Sequence, residues 1–124
     1  MVTVLYLIRH GETEGAEKRR YKGSIDVPLS ENGIRQMEQL SAYITKEIKN
    51  CSNPPSPLRG EGKGGGEHIA IVVHGGVNRI ILCHLLGIPL ENIFRIDQDY
   101  GALNIIEFWE KYPVVKLING IVYN

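Results

Sequence analysis

Two apolar runs, each ending on histidine and glycine, constrain the fold of this chain most strongly. The first, VTVLYLI at residues 2–8, continues into RHG at 9–11, and the second, HIAIVV at 68–73, continues into HGG at 74–76. Both runs are rich in β-branched and other apolar residues with little alternation, which is typical of strands buried on both faces, as in a parallel sheet. Such strands need helices to cover them.

The segments that follow these two runs carry helix signals. Ser30 is a suitable N-cap for a helix over 31–49. The apolar residues of this segment recur at spacings of three and four, which is the period of a helix with one buried face: Ile34, Met37, Leu40, Ile44 and Ile48. After the second run, VNRIILCHLLG predicts another helix, which Gly87 and then Pro89 bring to an end.

Two further strand-like runs, ALNIIEFW at 102–109 and VVKLING at 114–120, flank a turn that contains Pro113. The order strand, helix, strand, helix, strand, strand predicts an α/β fold, and the buried character of the first strand indicates a mostly parallel sheet. With 124 residues, of which 43% are hydrophobic, the chain is long enough for one core. A single domain over residues 1–124 is therefore expected.

A stretch rich in proline and glycine, CSNPPSPLRGEGKGGG at 51–66, separates the two halves. Eight of its sixteen residues are proline or glycine, so neither a helix nor a central strand is expected, and a flexible loop is predicted over 51–67. The GEGKGGG segment departs from a phosphate-binding loop, because glycine follows the lysine where that motif has Ser or Thr. No strand precedes it either.

Charge and hydropathy narrow the range of partners. Fourteen basic and fourteen acidic residues cancel, so no global field recruits nucleic acid or an anionic membrane. Because the sequence has neither a leader-like start nor an apolar run of about 18 residues, a cytoplasmic protein is expected. Partners must be argued from a local site.

The two strand-terminal histidines predict such a site. Ligands of open α/β sheets bind beyond the carboxyl ends of the strands, so His10 and His74 are expected to face one crevice, with Arg9 beside them. Arginine offers a planar fork of donors to phosphate oxygens, and imidazole can attack phosphorus to give a phosphohistidine. The glycines after each histidine permit tight turns, whose N–H groups, with the N-terminus of the second helix, are expected to point at the anion.

Structural alternatives exist for each of these residues. A lone strand-end histidine is more often structural or solvated than nucleophilic, and His68 and His84 are interpreted in that way. Glu12 and Glu14 are equally explained as caps of the following turn, and residues 18–20 as a charged solvated face. Two strand-terminal His-Gly units in one small chain, one of them preceded by arginine, nevertheless favour a site.

LIRHGETEG, RRYKGSIDVPLSENG and IAIVVHGGVNRIIL resemble the histidine phosphatase superfamily in its phosphoglycerate mutase-like branch. HGGVNR and LNIIEF are similar to segments of phosphatases of the α-ribazole phosphatase kind. The resemblance covers residues 2–49 and 68–119. It implies a three-layer α/β/α sandwich and hydrolysis of a small phosphate monoester, such as a compound like α-ribazole 5′-phosphate, with no metal or other cofactor.

The same resemblance implies roles for individual residues. His10 would be the phosphorylated nucleophile, and Arg9 and His74 would hold the phosphoryl group. Attack on phosphorus would be in line, and water would then hydrolyse the phosphohistidine. The residues expected to contact the substrate or inorganic phosphate are Gly11, Thr13, Arg20, Lys22, Gly23 and Gly75.

The sequence departs from the family pattern at two places. Members usually carry an asparagine in the phosphate pocket, where this chain has Ala16. The family's middle section is absent, so the fold is expected to be truncated there. That section carries a second phosphate-binding arginine and the glutamate that protonates the leaving group. Arg59, Glu61 and Glu67 are the nearby residues of the right types, and neither role is assigned to them.

These departures leave more than one function open. The loss of a general acid costs roughly 10²- to 10⁴-fold in rate, and each lost oxyanion donor costs roughly 10²- to 10³-fold. The alternative to a phosphatase is therefore a catalytically impaired remnant that binds phosphate or a protein partner without turnover. A mutase is less favoured by the HGG context. Loss of a central strand would also expose a sheet edge or leave a gap, which is expected to lower stability or favour self-association.

Overall fold

The computed structural model describes residues 2–15, 27–51 and 66–122. Within these ranges no helix is long and apolar enough to cross a membrane. The elements, in chain order, are β1 (Thr3–Arg9), α1 (Glu31–Cys51), β2 (His68–Val73), α2 (Gly75–Leu86), a 3₁₀ helix (Leu90–Arg95), β3 (Leu103–Phe108) and β4 (Pro113–Gly120). Most of the loop predicted over 51–67 lies outside the described residues; Cys51 ends α1.

The four strands form one sheet in the order β2-β1-β3-β4. β1 and β2 are parallel, whereas β1 with β3 and β3 with β4 are antiparallel. The predicted α/β fold is confirmed. The expectation of a mostly parallel sheet is wrong, because the sheet is mixed.

The direction of β3 follows from where the chain re-enters the sheet. Before β3 begins, the chain has already returned to the carboxyl end of β1. There the Arg9 N–H donates to the Ala102 carbonyl at 3.0 Å, and the Gly101 N–H donates to the His10 carbonyl at 3.0 Å. A strand that starts at this end of β1 must run antiparallel to it. Gly101, with φ of 71°, makes the turn.

The two helices pack against opposite faces of the sheet. Leu40 of α1 packs with one set of alternate β1 residues, which are Val4, Tyr6 and Ile8. Leu82 of α2 packs with Leu7 and with Ile106 of β3. Because successive side chains of a strand point to opposite faces, β1 is covered on both sides, as its apolar sequence predicts.

Helix α1 begins where the sequence indicates. The Gly33 N–H donates to Ser30 Oγ at 3.0 Å, which makes Ser30 the N-cap. The predicted apolar stripe is buried only at its centre, since Leu40 is 1% exposed while Ile34 is 48% exposed and Ile48 is 36% exposed. A helix of 21 residues is about 31 Å long and a strand of seven residues about 23 Å. The helix therefore extends beyond the strand that it covers.

Strand β2 lies at an edge of the sheet and is poorly covered. Ile69, Ile71 and Val72 are 42%, 40% and 50% exposed, although the sequence of this strand is as apolar as that of β1. Its inner side pairs with β1, and no described strand pairs with its outer side. The carboxyl ends of β1 and β2 thus meet beside an open edge.

Candidate active site

The parallel pairing of β1 and β2 brings the two strand-terminal histidines together. The His10 N–H donates to the Val73 carbonyl at 3.1 Å, so both strands end at the same level. The ring centroids of His10 and His74 are 5.0 Å apart, with an interplanar angle of 82°. The structure therefore places the two predicted site histidines edge to face at one end of the sheet.

A main-chain contact determines which nitrogen of His10 carries a proton. His10 Nδ1 lies 2.8 Å from the Gly11 carbonyl oxygen. Because a carbonyl oxygen only accepts, Nδ1 is the donor, and in the neutral ring Nε2 holds the lone pair. Burial lowers the pKa of His10 from its ordinary value; the bond to Gly11 raises it, and positive charge on His74 and Arg9 lowers it again. The net lowering favours neutral imidazole, the nucleophilic form.

Arg9 is held beside His10 by two contacts. Its Nη1 donates to the main-chain carbonyl of Gln98 at 2.5 Å. Its guanidinium carbon lies 4.0 Å from the centroid of the Tyr100 ring, which is a cation–π geometry. The Tyr100 ring is also 5.9 Å from the His10 ring. Tyr100 therefore packs against both the arginine and the histidine.

Helix α2 begins directly after His74. The sequence suggested a start after Gly76, but the helix begins at Gly75, and His74 is its N-cap residue without a side-chain capping bond. The Asn78 N–H donates to the His74 carbonyl at 3.0 Å, which is the first helical bond. Since the first N–H groups of a helix lack intrahelical acceptors and carry partial positive charge, this helix end favours an anion beside His74.

Gly11 and Gly75 are not among the described glycines with positive φ. Glycine is favoured at these positions because neighbouring atoms lie where a Cβ would be. A Cβ on Gly11 would lie 2.5 Å from the Gly33 carbonyl oxygen. A Cβ on Gly75 would lie 3.2 Å from Arg9 Nε and 3.3 Å from Arg79 Nη1. The absence of a side chain at Gly75 therefore lets two guanidinium groups approach the N-terminus of α2.

The segment after His10 is tied to the start of α1. Thr13 forms a β-bridge with Leu29. The Glu12 N–H donates to Gln36 Oε1 at 2.9 Å, and Ser30 Oγ donates to Glu12 Oε1 at 2.9 Å. These bonds favour the structural interpretation of Glu12, which anchors the loop on the helix.

Glu67, an acid to which the sequence assigns no role, is not part of this arrangement. Glu67 lies at the other end of the sheet, where its carbonyl accepts from the Val4 N–H at 2.8 Å, about 20 Å along β1 from His10. The described position of Glu67 thus does not suit a proton donor at the site. The positions outside the described residues are Ala16, Arg20, Lys22, Gly23, Arg59 and Glu61.

The other two histidines lie away from the site. His68 stacks on Tyr6 with ring centroids 6.0 Å apart and an interplanar angle of 18°, at the amino end of β2. His84 is exposed in the last turn of α2. Both positions agree with the structural interpretation of these residues.

A buried amide cluster behind the site was missed by the sequence reasoning. Asn78, Gln98 and Asn104 are 0%, 1% and 0% exposed. Asn78 Nδ2 donates to Gln98 Oε1 at 3.1 Å, and Gln98 Nε2 donates to Asn104 Oδ1 at 2.8 Å. The available signal was the asparagine inside the apolar strand LNIIEF, because a buried amide must find partners.

Comparison with known families agrees with this geometry. The family model of the histidine phosphatase superfamily (branch 1) matches residues 5–59 and 58–120. The chain belongs to this superfamily. The two matched segments meet inside the stretch rich in proline and glycine.

Individual relatives and solved structures are also similar to the chain. It is 49% identical over 40 residues to probable phosphoglycerate mutase GpmB of Proteus mirabilis, which covers 32% of this chain and 19% of the relative. Among solved structures, phosphoserine phosphatase of Entamoeba histolytica matches with a TM-score of 0.74 and 15% identity, over 96% of this chain and 98% of the other. The α-ribazole phosphatase of Shigella flexneri matches with a TM-score of 0.70 and 17% identity, over 98% of both.

These matches differ in what they show. The chain spans about a fifth of the length of the curated relatives that it matches. The solved structures share the fold at low identity. Neither comparison assigns a substrate to this member of the superfamily.

Proposed function

We propose that the chain is a phosphatase that hydrolyses a small phosphate monoester through a phosphohistidine at His10. The observed placement of His10 carries the proposal: its ring lies 5.0 Å from the His74 ring, and its Nδ1 donates to the Gly11 carbonyl. Nε2 is then the nitrogen with a lone pair for phosphorus. Arg9 and the N-terminus of α2 supply positive charge beside it.

The proposed reaction has two displacements. His10 Nε2 attacks phosphorus in line with the leaving oxygen, so the N–P bond forms as the P–O bond breaks, and the leaving oxygen takes up a proton from solvent water. Water then attacks phosphorus, the N–P bond breaks, and its electron pair returns to Nε2 as inorganic phosphate departs. Arg9, His74 and the first N–H groups of α2 would stabilise charge on the equatorial oxygens.

For the substrate we propose a small phosphorylated metabolite resembling α-ribazole 5′-phosphate. Support comes from the HGGVNR and LNIIEF segments and from the fold that the chain shares with the Shigella flexneri α-ribazole phosphatase. The substrate contacts proposed for Arg20, Lys22 and Gly23 fall outside the described residues. A panel of α-ribazole 5′-phosphate, phosphoserine and 3-phosphoglycerate tests this choice, and the highest kcat/KM is expected for the first.

The second candidate function is phosphate binding without turnover. It is supported by the described carboxylates near the site, which already accept hydrogen bonds. Among the described carboxylates, Glu12 accepts from Ser30 Oγ at 2.9 Å and Asp99 accepts from Asn119 Nδ2 at 3.0 Å, so both are already engaged. The family match also divides within the stretch where the proton donor would be encoded. A chain without that donor would bind phosphate with little turnover, since general acids contribute roughly 10²- to 10⁴-fold.

Hydrolysis of p-nitrophenyl phosphate separates the two functions. The wild-type chain is compared with His10→Ala and with His84→Ala, whose side chain is exposed and lies outside the site. A phosphatase is expected to lose turnover in His10→Ala and retain it in His84→Ala. Turnover that survives His10→Ala contradicts the mechanism, and phosphate binding without turnover selects the second function.

We also propose that two copies of the chain associate through β2. Both edge strands are candidates, but β4 begins with Pro113, carries Lys116 and has register shifts against β3, all of which discourage edge pairing. β2 has no charged residue, and Ile69, Ile71 and Val72 are exposed on it. Antiparallel pairing of β2 with its copy would extend the sheet without bringing like charges together.

A further inference from the structure

We propose that Gln98 is a positioning residue for Arg9: its buried side-chain amide fixes the main-chain carbonyl that aims the guanidinium at the phosphoryl group. The inference rests on the proposed function, because Arg9 holds phosphate only if His10 is the phosphorylated residue. Because Gln98 is 1% exposed, the proposed role is exerted through Arg9.

Gln98 contacts Arg9 through its main chain. The Gln98 carbonyl accepts from Arg9 Nη1 at 2.5 Å, while Tyr100 covers one face of the guanidinium at 4.0 Å. A guanidinium has five N–H donors in a rigid plane, so fixing one terminal nitrogen and one face sets the direction of the others. The direction of the Gln98 carbonyl therefore determines where Arg9 points.

The side-chain amide of Gln98 is fully hydrogen-bonded. Its Oε1 accepts from Asn78 Nδ2 at 3.1 Å and from Asn104 Nδ2 at 2.9 Å. Its Nε2 donates to the Asp97 carbonyl at 2.9 Å and to Asn104 Oδ1 at 2.8 Å. A primary amide has two donors and two acceptor lone pairs, and all four are used. At 1% exposure, the loss of one of these partners would leave a buried polar group unsatisfied, which is costly.

Side chains from two other elements anchor the segment 96–101. From α2, Arg79 Nε donates to the Ile96 carbonyl at 2.7 Å. From β4, Asn119 Oδ1 accepts from the Asp99 N–H at 2.8 Å. Among the described residues, Asn119 is the non-glycine residue with a positive φ, at 54°. This strained backbone conformation occurs at a residue that anchors the segment 96–101.

The same segment also reaches the nucleophile. The Gly101 N–H donates to the His10 carbonyl at 3.0 Å, while Gln98 holds Arg9. The amide cluster therefore sets the position of nucleophile and clamp relative to each other. Small errors in such geometry are costly in catalysis.

Gln98→Glu tests this role with little change in shape. The carboxylate retains the acceptor positions for Asn78 and Asn104 but loses both donors, so an oxygen now faces the Asp97 carbonyl. A protonated carboxyl regains one donor. The loss of phosphate affinity in Gln98→Glu is therefore expected to become smaller as the pH falls. A general loss of packing would not produce this pH dependence.

Affinity for inorganic phosphate is measured at pH 8 and pH 5 for the wild type, for Gln98→Glu and for Asn78→Ala. Asn78→Ala is the milder variant, because Asn78 Oδ1 accepts no hydrogen bond from the described residues. Gln98→Glu is expected to weaken binding about ten- to a hundredfold at pH 8, as for a hydrogen bond to a charged group, and less at pH 5. Asn92→Asp, in an exposed bond to Arg95, is the control and should bind as the wild type does.

A double-mutant cycle separates positioning from general destabilisation. In an Arg9→Met background, Gln98→Glu should weaken phosphate binding no further, since the group that it positions is gone. Loss of affinity that is equal in both backgrounds, or that is independent of pH, overturns the inference.

A readout without ligand keeps the inference distinct from the proposed function. Arg9 Nε is buried, so its N–H should exchange slowly with solvent in the wild type and at least about tenfold faster in Gln98→Glu, following the same loss of a charge-assisted bond. If the wild type binds no phosphate, the proposed function fails. The exchange rate of the Arg9 Nε–H then tests by itself whether Gln98 positions Arg9. An unchanged rate contradicts the positioning role.

Discussion

The nitrogen of His10 that faces the Gly11 carbonyl cannot also attack phosphorus. Nδ1 donates across 2.8 Å, so the chemistry falls to Nε2, and the ring is oriented before any ligand arrives. Burial and neighbouring positive charge then keep the ring neutral. At the scale of single residues, one main-chain carbonyl and one partly buried position thus prepare the nucleophile.

The pH dependence of His10 follows from this environment. Its pKa is lowered from 6.5, first by burial, so the neutral form persists below pH 6.5, and the acidic limb of kcat/KM is expected below that value. Between the lowered pKa and 6.5 the unfolded chain binds more protons, so this contribution to stability is full above pH 6.5 and is lost as the pH falls. NMR titration of the His10 ring tests both points; a pKa above 6.5 would contradict them.

Two adjacent glycines provide a matched pair of variants. In Gly75→Ala the new Cβ would lie 3.2 Å from Arg9 Nε, so Arg9 must shift by a few tenths of an ångström and phosphate affinity should fall severalfold. In Gly76→Ala nothing lies within 4 Å of the new Cβ, so affinity should be unchanged and the helix gains up to about 1 kcal/mol. Equal phosphate affinities in the two variants, measured by titration, would argue against a role for Gly75 in admitting Arg9.

At the scale of elements, the N-terminal part of α1 is hydrogen-bonded to the loop that follows His10. Ser30 Oγ accepts from the Gly33 N–H at 3.0 Å and donates to Glu12 Oε1 at 2.9 Å. Ser30→Ala should therefore lower the free energy of unfolding by about 1 kcal/mol, measured by urea denaturation. Ser41→Ala, on an exposed position of the same helix, is the control and should be nearly neutral. A cost no larger than that of the control would mean that the cap contributes nothing.

At the scale of the whole molecule, the open edge of β2 predicts association. Sedimentation of the wild type should show dimers that increase with concentration, and Ile71→Lys should shift the chain to monomer, because a charged residue on an edge strand opposes pairing. Ile118→Lys, at a comparably exposed position on the other edge strand, is the control and should leave the dimer intact. A wild type that remains monomeric at all concentrations rules out this interface.

The limits of sequence reasoning follow from the distance over which each interaction acts. The helix capped by Ser30 was predictable because its signals are local: a cap residue and an apolar period. The proximity of His10 and His74 was predictable because each residue follows the end of a strand. The mixed sheet was not, since the direction of β3 depends on contacts of Gly101 and Ala102 with β1. Gln98 was missed for the same reason: its bond to Arg9 joins residues separated by 89 positions.

The central claim, that His10 Nε2 is the nucleophile, is tested most directly by trapping the intermediate. The chain is mixed with p-nitrophenyl phosphate, quenched in alkali, where phosphohistidine survives, and analysed by mass spectrometry and ³¹P NMR. The expected result is one phosphoryl group on Nε2 of His10, absent from His10→Ala and present in His84→Ala. A phosphoryl group on Nδ1 or on another residue, or turnover with no phosphorylated His10, would contradict the mechanism.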